Sequence, residues 1–132
     1  MDTSGHTSLC ENYVSFETAK LLKEKGFDED IARVVNEEGE IDYLGSFQPS
    51  LAYLHHTWYR CPTLQMAMKW LRKVHEIFIR PNISFLYPIR YYCEIFCYGD
   101  NLKTQQDVTT ENFESPEEAC EAAIKYCLEN LI

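Results

Sequence analysis

Cysteine and histidine are the side chains in this sequence that could bind a metal or attack a substrate. His55 and His56 lie close to Cys61, while Cys93 and Cys97 lie on the same face of a predicted strand. Zinc sites typically use spacings such as Cys-x-x-Cys, and the sequence contains neither that pair nor His-x-x-x-His. The pattern therefore favours packed free thiols over a metal site, and no catalytic or cofactor motif indicates an enzyme.

Acidic side chains form a second group with possible chemistry. They occur at residues 28–30 and again at Glu37, Glu38, Glu40 and Asp42. Paired carboxylates can transfer protons or bind calcium, but the ligand order of an EF-hand around a central glycine is absent. Two interpretations remain, a solvated hairpin end and an acidic surface that imitates DNA to occupy a basic site on a host protein.

Basic residues concentrate in the middle of the chain. The net charge is −9, yet residues 60–90 contain six Lys and Arg against one Glu. Strand alternation places arginines and aromatic rings of this region on one face, which is the candidate interaction face. Its members are Phe78, Arg80, Arg90, Tyr92, Phe96 and Tyr98.

Three interpretations of this face compete. Aromatic residues and arginine are enriched in protein interfaces, and they also stack on and pair with single-stranded nucleic acid. In the third interpretation, helices cover both faces of the sheet and the arginines pair with acidic groups of the same chain. The overall negative charge disfavours nucleic acid.

Three stretches have the periodicity and end signals of amphipathic helices. The first covers residues 16–25, between the N-cap Ser15 and the terminating Gly26. The second covers residues 62–74 and carries basic side chains opposite its apolar stripe. The third covers residues 116–131 and follows a capping box with proline at its first position.

The first predicted strands flank a glycine-containing connection. Residues 31–35 and 41–47 fit two strands joined by residues 36–40, although a helix starting at Asp28 also fits the pattern. β-Branched residues and the glycine favour the hairpin. Residues 48–61 are predicted to be a connecting loop.

Further strands are predicted after the second helix. Residues 77–80 begin a strand that Pro81 and Asn82 interrupt, which indicates an edge strand or a bulge. Residues 89–98 alternate over ten positions and form the clearest strand, while residues 107–110 form a weak one. This order of elements predicts one α+β domain over residues 1–132, with a loose N-terminus at 1–13. Its mainly antiparallel sheet is expected to have about four strands, with three helices packed on one face.

Three phrases of the sequence carry a family resemblance: VSFETAKLLKEKGF at residues 14–27, PTLQMAMKWL at 62–71 and SPEEACEAAI at 115–124. They resemble an uncharacterised family of small proteins from gut bacterial genomes and their prophages. The resemblance implies a phage or mobile-element context and supports strands between residues 31 and 47. It brings no activity, cofactor or active site.

The expected function is a non-catalytic accessory or protein-interaction domain that needs no cofactor and binds a protein partner or a second copy of itself. The N-terminal residues lack a signal-peptide pattern and no apolar run is long enough to cross a bilayer, so we expect a cytoplasmic protein without membrane contact. Six cysteines then behave as small apolar residues rather than as disulfides. The alternative function is a DNA-mimicking inhibitor of a host nucleic-acid enzyme.

Overall fold

The computed structural model describes residues 12–43, 58–85, 87–97, 108–109 and 112–132. The chain divides into two compact units, Met1–Thr63 and Leu64–Ile132. The elements of the first unit are α1 (Phe16–Glu24), β1 (Arg33–Asn36), β2 (Ile41–Tyr43) and β3 (Trp58–Arg60). Those of the second are α2 (Leu64–His75), β4 (Ile77–Ser84), β5 (Arg90–Cys97), β6 (Val108–Thr109) and α3 (Pro116–Asn130).

Helix α1 begins and ends where its sequence signals predict. The Ser15 hydroxyl accepts a hydrogen bond from the Thr18 backbone N–H at 3.2 Å, which satisfies a donor that the first turn leaves unpaired. Gly26 follows the last turn at a φ of 101°, a left-handed conformation that glycine adopts without strain. Leu22 on its inner side is fully buried, and the helix contacts β3 and β1.

The first sheet has the strand order β2-β1-β3 and is antiparallel throughout. The predicted hairpin is confirmed for the described residues, because β1 and β2 pair across the turn at residues 37–40 and residues 28–39 contain no helix. Residues 44–47 of the predicted second strand lie outside the described residues. Gly39 in this turn has a φ of 84°. The loop predicted for residues 48–61 is wrong at its end, where Trp58–Arg60 pairs with β1, and residues 48–57 lie outside the described residues.

The second sheet has the order β4-β5-β6, also antiparallel. Strand β4 continues through Pro81 and Asn82 instead of stopping there. Tyr91 exchanges both backbone hydrogen bonds with Phe113, at 2.8 and 2.7 Å, so it turns its backbone groups away from β4. Cys93 pairs with Pro81 and lies two residues after Tyr91. Because the backbone groups of an antiparallel strand alternate in direction, the N–H and C=O of Cys93 also point away from β4. The missing N–H of Pro81 therefore falls on the outer edge of β4, as the sequence predicted for an edge strand.

Helix α3 covers one face of this second sheet. Its N-terminus is capped by the Ser115 hydroxyl, which accepts from the Glu118 N–H at 3.1 Å, and Pro116 occupies the first turn as predicted. The helix contacts β4 and β5, and the odd-numbered β5 residues Cys93 and Ile95 beneath it are fully buried. Helix α2 begins at Leu64 rather than residue 62 and contacts β4 and α3.

The predicted α+β class is confirmed, with three helices and antiparallel pairing among the described residues. The sequence predicts one sheet of about four strands, but the described strands form two sheets of three strands each. The helices are divided accordingly, α1 in the first unit and α2 with α3 in the second. The single-domain assignment stays a prediction, and the predicted loose N-terminus lies mostly outside the described residues.

No helix among the described residues has the length and apolar character to cross a membrane.

Candidate functional site

The even-numbered residues of β4 and β5 form one face of the second sheet, called here the even face. The register places Phe78 opposite Phe96, Arg80 opposite Glu94, and Tyr92 opposite Asn82. Five members of the predicted interaction face, Phe78, Arg80, Arg90, Tyr92 and Phe96, thus share one side of the hairpin, because directly paired residues of an antiparallel ladder project from the same face. Tyr98 lies outside the described residues.

The charges on the even face are largely neutralised within it. Arg80 donates to Glu94 Oε1 from Nε at 2.8 Å and also from Nη2. Its guanidinium carbon lies 5.5 Å from the centre of the Phe96 ring, within cation–π range. Arg90 Nη1 donates to the carbonyl of its neighbour Ile89 at 3.0 Å. The interpretation that the arginines pair with acidic groups of the same chain therefore holds for Arg80.

The connection between β4 and β5 exposes apolar side chains that the sequence analysis did not select. Phe85 is 81% exposed, Tyr87 is 96% exposed and Ile89 is 50% exposed. We call residues 85 and 87–89 the hairpin tip; it includes the cis Tyr87-Pro88 peptide bond. Phe78, 38% exposed, lies near the other end of β4, opposite Phe96, and is separate from the hairpin tip. Contiguous exposed apolar surface on a folded protein is characteristic of interaction sites.

A sequence signal for the hairpin tip exists but is ambiguous. Between Arg80 and Arg90 no residue is charged, and Tyr87 directly precedes Pro88. A buried strand would give the same apolar run, so the sequence does not distinguish a buried turn from an exposed one. The exposure of the tip side chains therefore becomes visible only in the folded structure.

Buried thiols line the opposite side of the hairpin. Cys93 on β5 and Cys120 on α3 have their sulfur atoms 4.0 Å apart. Cys127 on α3 is fully buried, whereas Cys97 on β5 is half-buried. All five cysteines in the described part of the chain, these four and Cys61, are free thiols. The predicted packing of thiols in the core is confirmed for Cys61, Cys93, Cys120 and Cys127, whereas Cys97 is only half-buried.

The cysteine and histidine residues first considered for chemistry do not form a site in the described structure. Cys61 is 1% exposed, and its Sγ donates to the Val14 carbonyl at 3.2 Å. His55 and His56 lie outside the described residues. His75, at the end of α2, packs edge-on against Trp70 with ring centres 4.9 Å apart. Among the described residues, no group of three His, Cys, Asp or Glu side chains is arranged to hold a metal ion.

Arg33 connects several parts of the first unit. Its guanidinium lies 3.7 Å from the centre of the Tyr13 ring and donates to the Tyr43 hydroxyl at 2.8 Å. Burial opposes its charge, but hydrogen bonds with Cys61 and Tyr43 outweigh that cost, so the pKa of Arg33 lies above its ordinary value. This cation is engaged on several sides, which indicates a structural role.

The acidic turn between β1 and β2 is held by a buried amide. Asn36 is fully buried, and its Oδ1 accepts from the backbone N–H groups of Glu38 and Glu40 at 3.0 and 2.9 Å. Its Nδ2 donates to the Glu40 carboxylate at 2.8 Å. Glu37, Glu38 and Glu40 are all exposed. The turn therefore presents its carboxylates from a backbone that Asn36 fixes.

No protein-family model, no curated protein and no solved structure matches this chain. The resemblance to small proteins of gut bacterial genomes and prophages stays a prediction.

Proposed function

We propose that this chain is a non-catalytic accessory domain of phage or mobile-element origin that acts in the cytoplasm. In this proposal it binds a partner protein through the hairpin tip and the adjoining even face of β4 and β5. The phage context rests on the resemblance of its three sequence phrases alone.

The observation that carries the binding proposal is the exposure of large apolar side chains along one hairpin. Phe85 and Tyr87 are almost fully exposed, and Ile89 in the same connection is half exposed. Burying each of these side chains against a partner would release about 1.5–3 kcal/mol before the entropic cost of association. Aromatic residues are also the usual anchors of protein interfaces.

The electrostatics of the hairpin favour a protein partner over nucleic acid. Arg80 is already bound to Glu94, which leaves Arg90 as the cation on the described even face without an acidic partner. One cation offers little attraction for a phosphate backbone. It suits a partner pocket with an apolar floor and a carboxylate at its rim.

Two double variants test the proposal. Phe85→Ser with Tyr87→Ser removes the hairpin tip, and Met66→Ser with Val74→Ser removes exposed apolar groups of α2 as the matched control. We expect the tip variant alone to lose partner capture from lysate, or self-association in sedimentation velocity, by at least about tenfold. Circular dichroism checks that both variants stay folded.

The even face is tested separately with Tyr92→Ala and Phe96→Ala. Both side chains are half-buried, so the variant should keep its fold while binding more weakly. Unchanged assembly and unchanged capture in both the tip and the even-face variants would contradict the proposal.

A second candidate function is the acidic mimic of DNA, favoured by the exposed carboxylates on the turn that Asn36 fixes. A preorganised acidic turn suits a basic partner site because little entropy is lost on binding. Charge reversal at Glu37 and Glu38 should then abolish capture of a nucleic-acid enzyme, whereas reversal at Glu114 and Glu129, exposed elsewhere, should not. Full retention after the first change would remove this candidate.

A further inference from the structure

The thiols of Cys93 and Cys120 form a close pair between β5 and α3. Their sulfur atoms are 4.0 Å apart, although the residues are 27 positions apart in the sequence. Both side chains belong to the buried core of the second unit. In a disulfide the two sulfur atoms are about 2.05 Å apart. Side-chain rotations that bring these sulfur atoms about 2 Å closer would therefore reach bonding distance.

The two thiols differ in a way that assigns them different roles. The Cys93 S–H donates to the Cys120 sulfur, and this bond lowers the pKa of Cys120 against the opposing effect of burial. The same bond, together with burial, raises the pKa of Cys93. Cys120 is also 6% exposed, whereas Cys93 has no exposed surface. Cys120 is therefore the thiol that ionises more readily and that a small reagent reaches first.

We propose that Cys93 and Cys120 are a redox-sensitive pair, which a peroxide oxidises to a disulfide that joins β5 to α3. The Cys120 thiolate attacks one oxygen of hydrogen peroxide; an S–O bond forms, the O–O bond breaks and hydroxide leaves. The Cys93 thiol then attacks the Cys120 sulfur, its proton goes to the departing oxygen, and water leaves as the S–S bond forms. Two thiols are oxidised and one peroxide is reduced.

The disulfide would fix the helix that covers the odd-numbered face of the hairpin. It closes a loop of 27 positions that includes β6, and a crosslink of that kind restricts the unfolded chain more than the folded one. Oxidation therefore stabilises the second unit and slows the opening of α3 from β5.

The test is titration of the full chain with hydrogen peroxide, followed by intact mass and non-reducing peptide mapping. The expected product has lost about 2 Da, the mass of two hydrogens, and links the peptides of Cys93 and Cys120. Its thermal midpoint should rise and return to the starting value with a reducing agent. A product that gains oxygen at other cysteines while Cys120 stays a thiol would overturn the proposal.

Single-cysteine variants distinguish this pair from its neighbours. In Cys93→Ala, oxidation should stop at a Cys120 sulfenic acid, which dimedone traps, and no internal crosslink should form. Cys97→Ala and Cys127→Ala keep the pair and should still lose two hydrogens. A crosslink that survives in Cys93→Ala but disappears in Cys127→Ala would contradict the assignment and place the reactive thiols elsewhere.

Discussion

Each of the two sheets of this protein is stabilised by a different kind of interaction. The first sheet has strands of three or four residues, and polar side chains, Asn36 and Arg33, make several of its connections. The second is built on two strands of eight residues in continuous register. Apolar side chains such as Ile95 are buried there under α3.

The two units therefore depend on different residues for a unique folded conformation. A polar group that satisfies several partners fixes one conformation, and its removal leaves buried groups unpaired. An alternating apolar strand instead gains free energy in proportion to the area it buries, and it tolerates change on its exposed face. We therefore expect the first unit to be sensitive to a few polar residues and the second to core volume, while the even face is free to bind.

The largest effect is expected in the second unit, from Ile95→Ala. This side chain is fully buried on β5, so its truncation should cost about 3 kcal/mol of unfolding free energy through lost burial and the cavity left behind. Urea unfolding in a Trp58→Phe background measures this, because the remaining Trp70 lies in the second unit.

The matched control for the core is Val74→Ala, at a side chain of α2 that is 53% exposed. It should change the unfolding free energy by less than about 0.5 kcal/mol. Equal losses of unfolding free energy for Ile95→Ala and Val74→Ala would show that core volume does not determine the stability of the second unit.

An effect of about 2 kcal/mol is expected in the first unit from Asn36→Ala, because the N–H groups of Glu38 and Glu40 lose their acceptor. Urea unfolding in a Trp70→Phe background reports it through Trp58. Glu37→Ala, an exposed change in the same turn, is the control and should be close to neutral. If Asn36→Ala were equally neutral, the polar description of the first sheet would be wrong.

The smallest effect is expected between pH 8 and pH 10, from the buried thiol of Cys127. Burial, with the nearby Cys97, raises the pKa of Cys127 from 9.0 to about 12. Between these values the unfolded chain loses this proton and the folded chain keeps it, so the unfolding free energy should fall by about 1.4 kcal/mol per pH unit. The contribution is fully present below pH 9 and is lost as the pH rises through the folded pKa.

Urea unfolding at pH 8 and pH 10 checks this prediction against Cys127→Ala. The variant should lose less stability than the natural chain over the same interval, since it has no thiol at this position to titrate. Identical losses in the two proteins would show that burial at Cys127 does not govern the alkaline response.

The parts of the fold that the sequence predicts are those encoded locally. Ser15 and Ser115 mark two helix starts because a side-chain oxygen next to an amphipathic run satisfies free N–H groups within three residues. Strand β5 is predictable because alternation continues over its whole length. The shared face of Phe78, Arg80, Arg90, Tyr92 and Phe96 follows from the same alternation.

The features that sequence reasoning missed depend on distant partners. Trp58–Arg60 is too short to show alternation, and its strand conformation comes from pairing with β1. The division into two sheets depends on which strands pair, a choice that local patterns do not encode. Exposure of Phe85 and Tyr87 likewise depends on which surfaces the rest of the fold covers.

Pro81 has a consequence for a protein that displays aromatic side chains in water. In the described sheet β4 is an edge strand, and a regular edge of eight residues is a template on which another chain could add and extend into a fibre. With no N–H at Pro81, the row of donors facing outward is broken in the middle of the strand. The hairpin can therefore expose apolar side chains at its tip without adding further chains along the outer edge of β4.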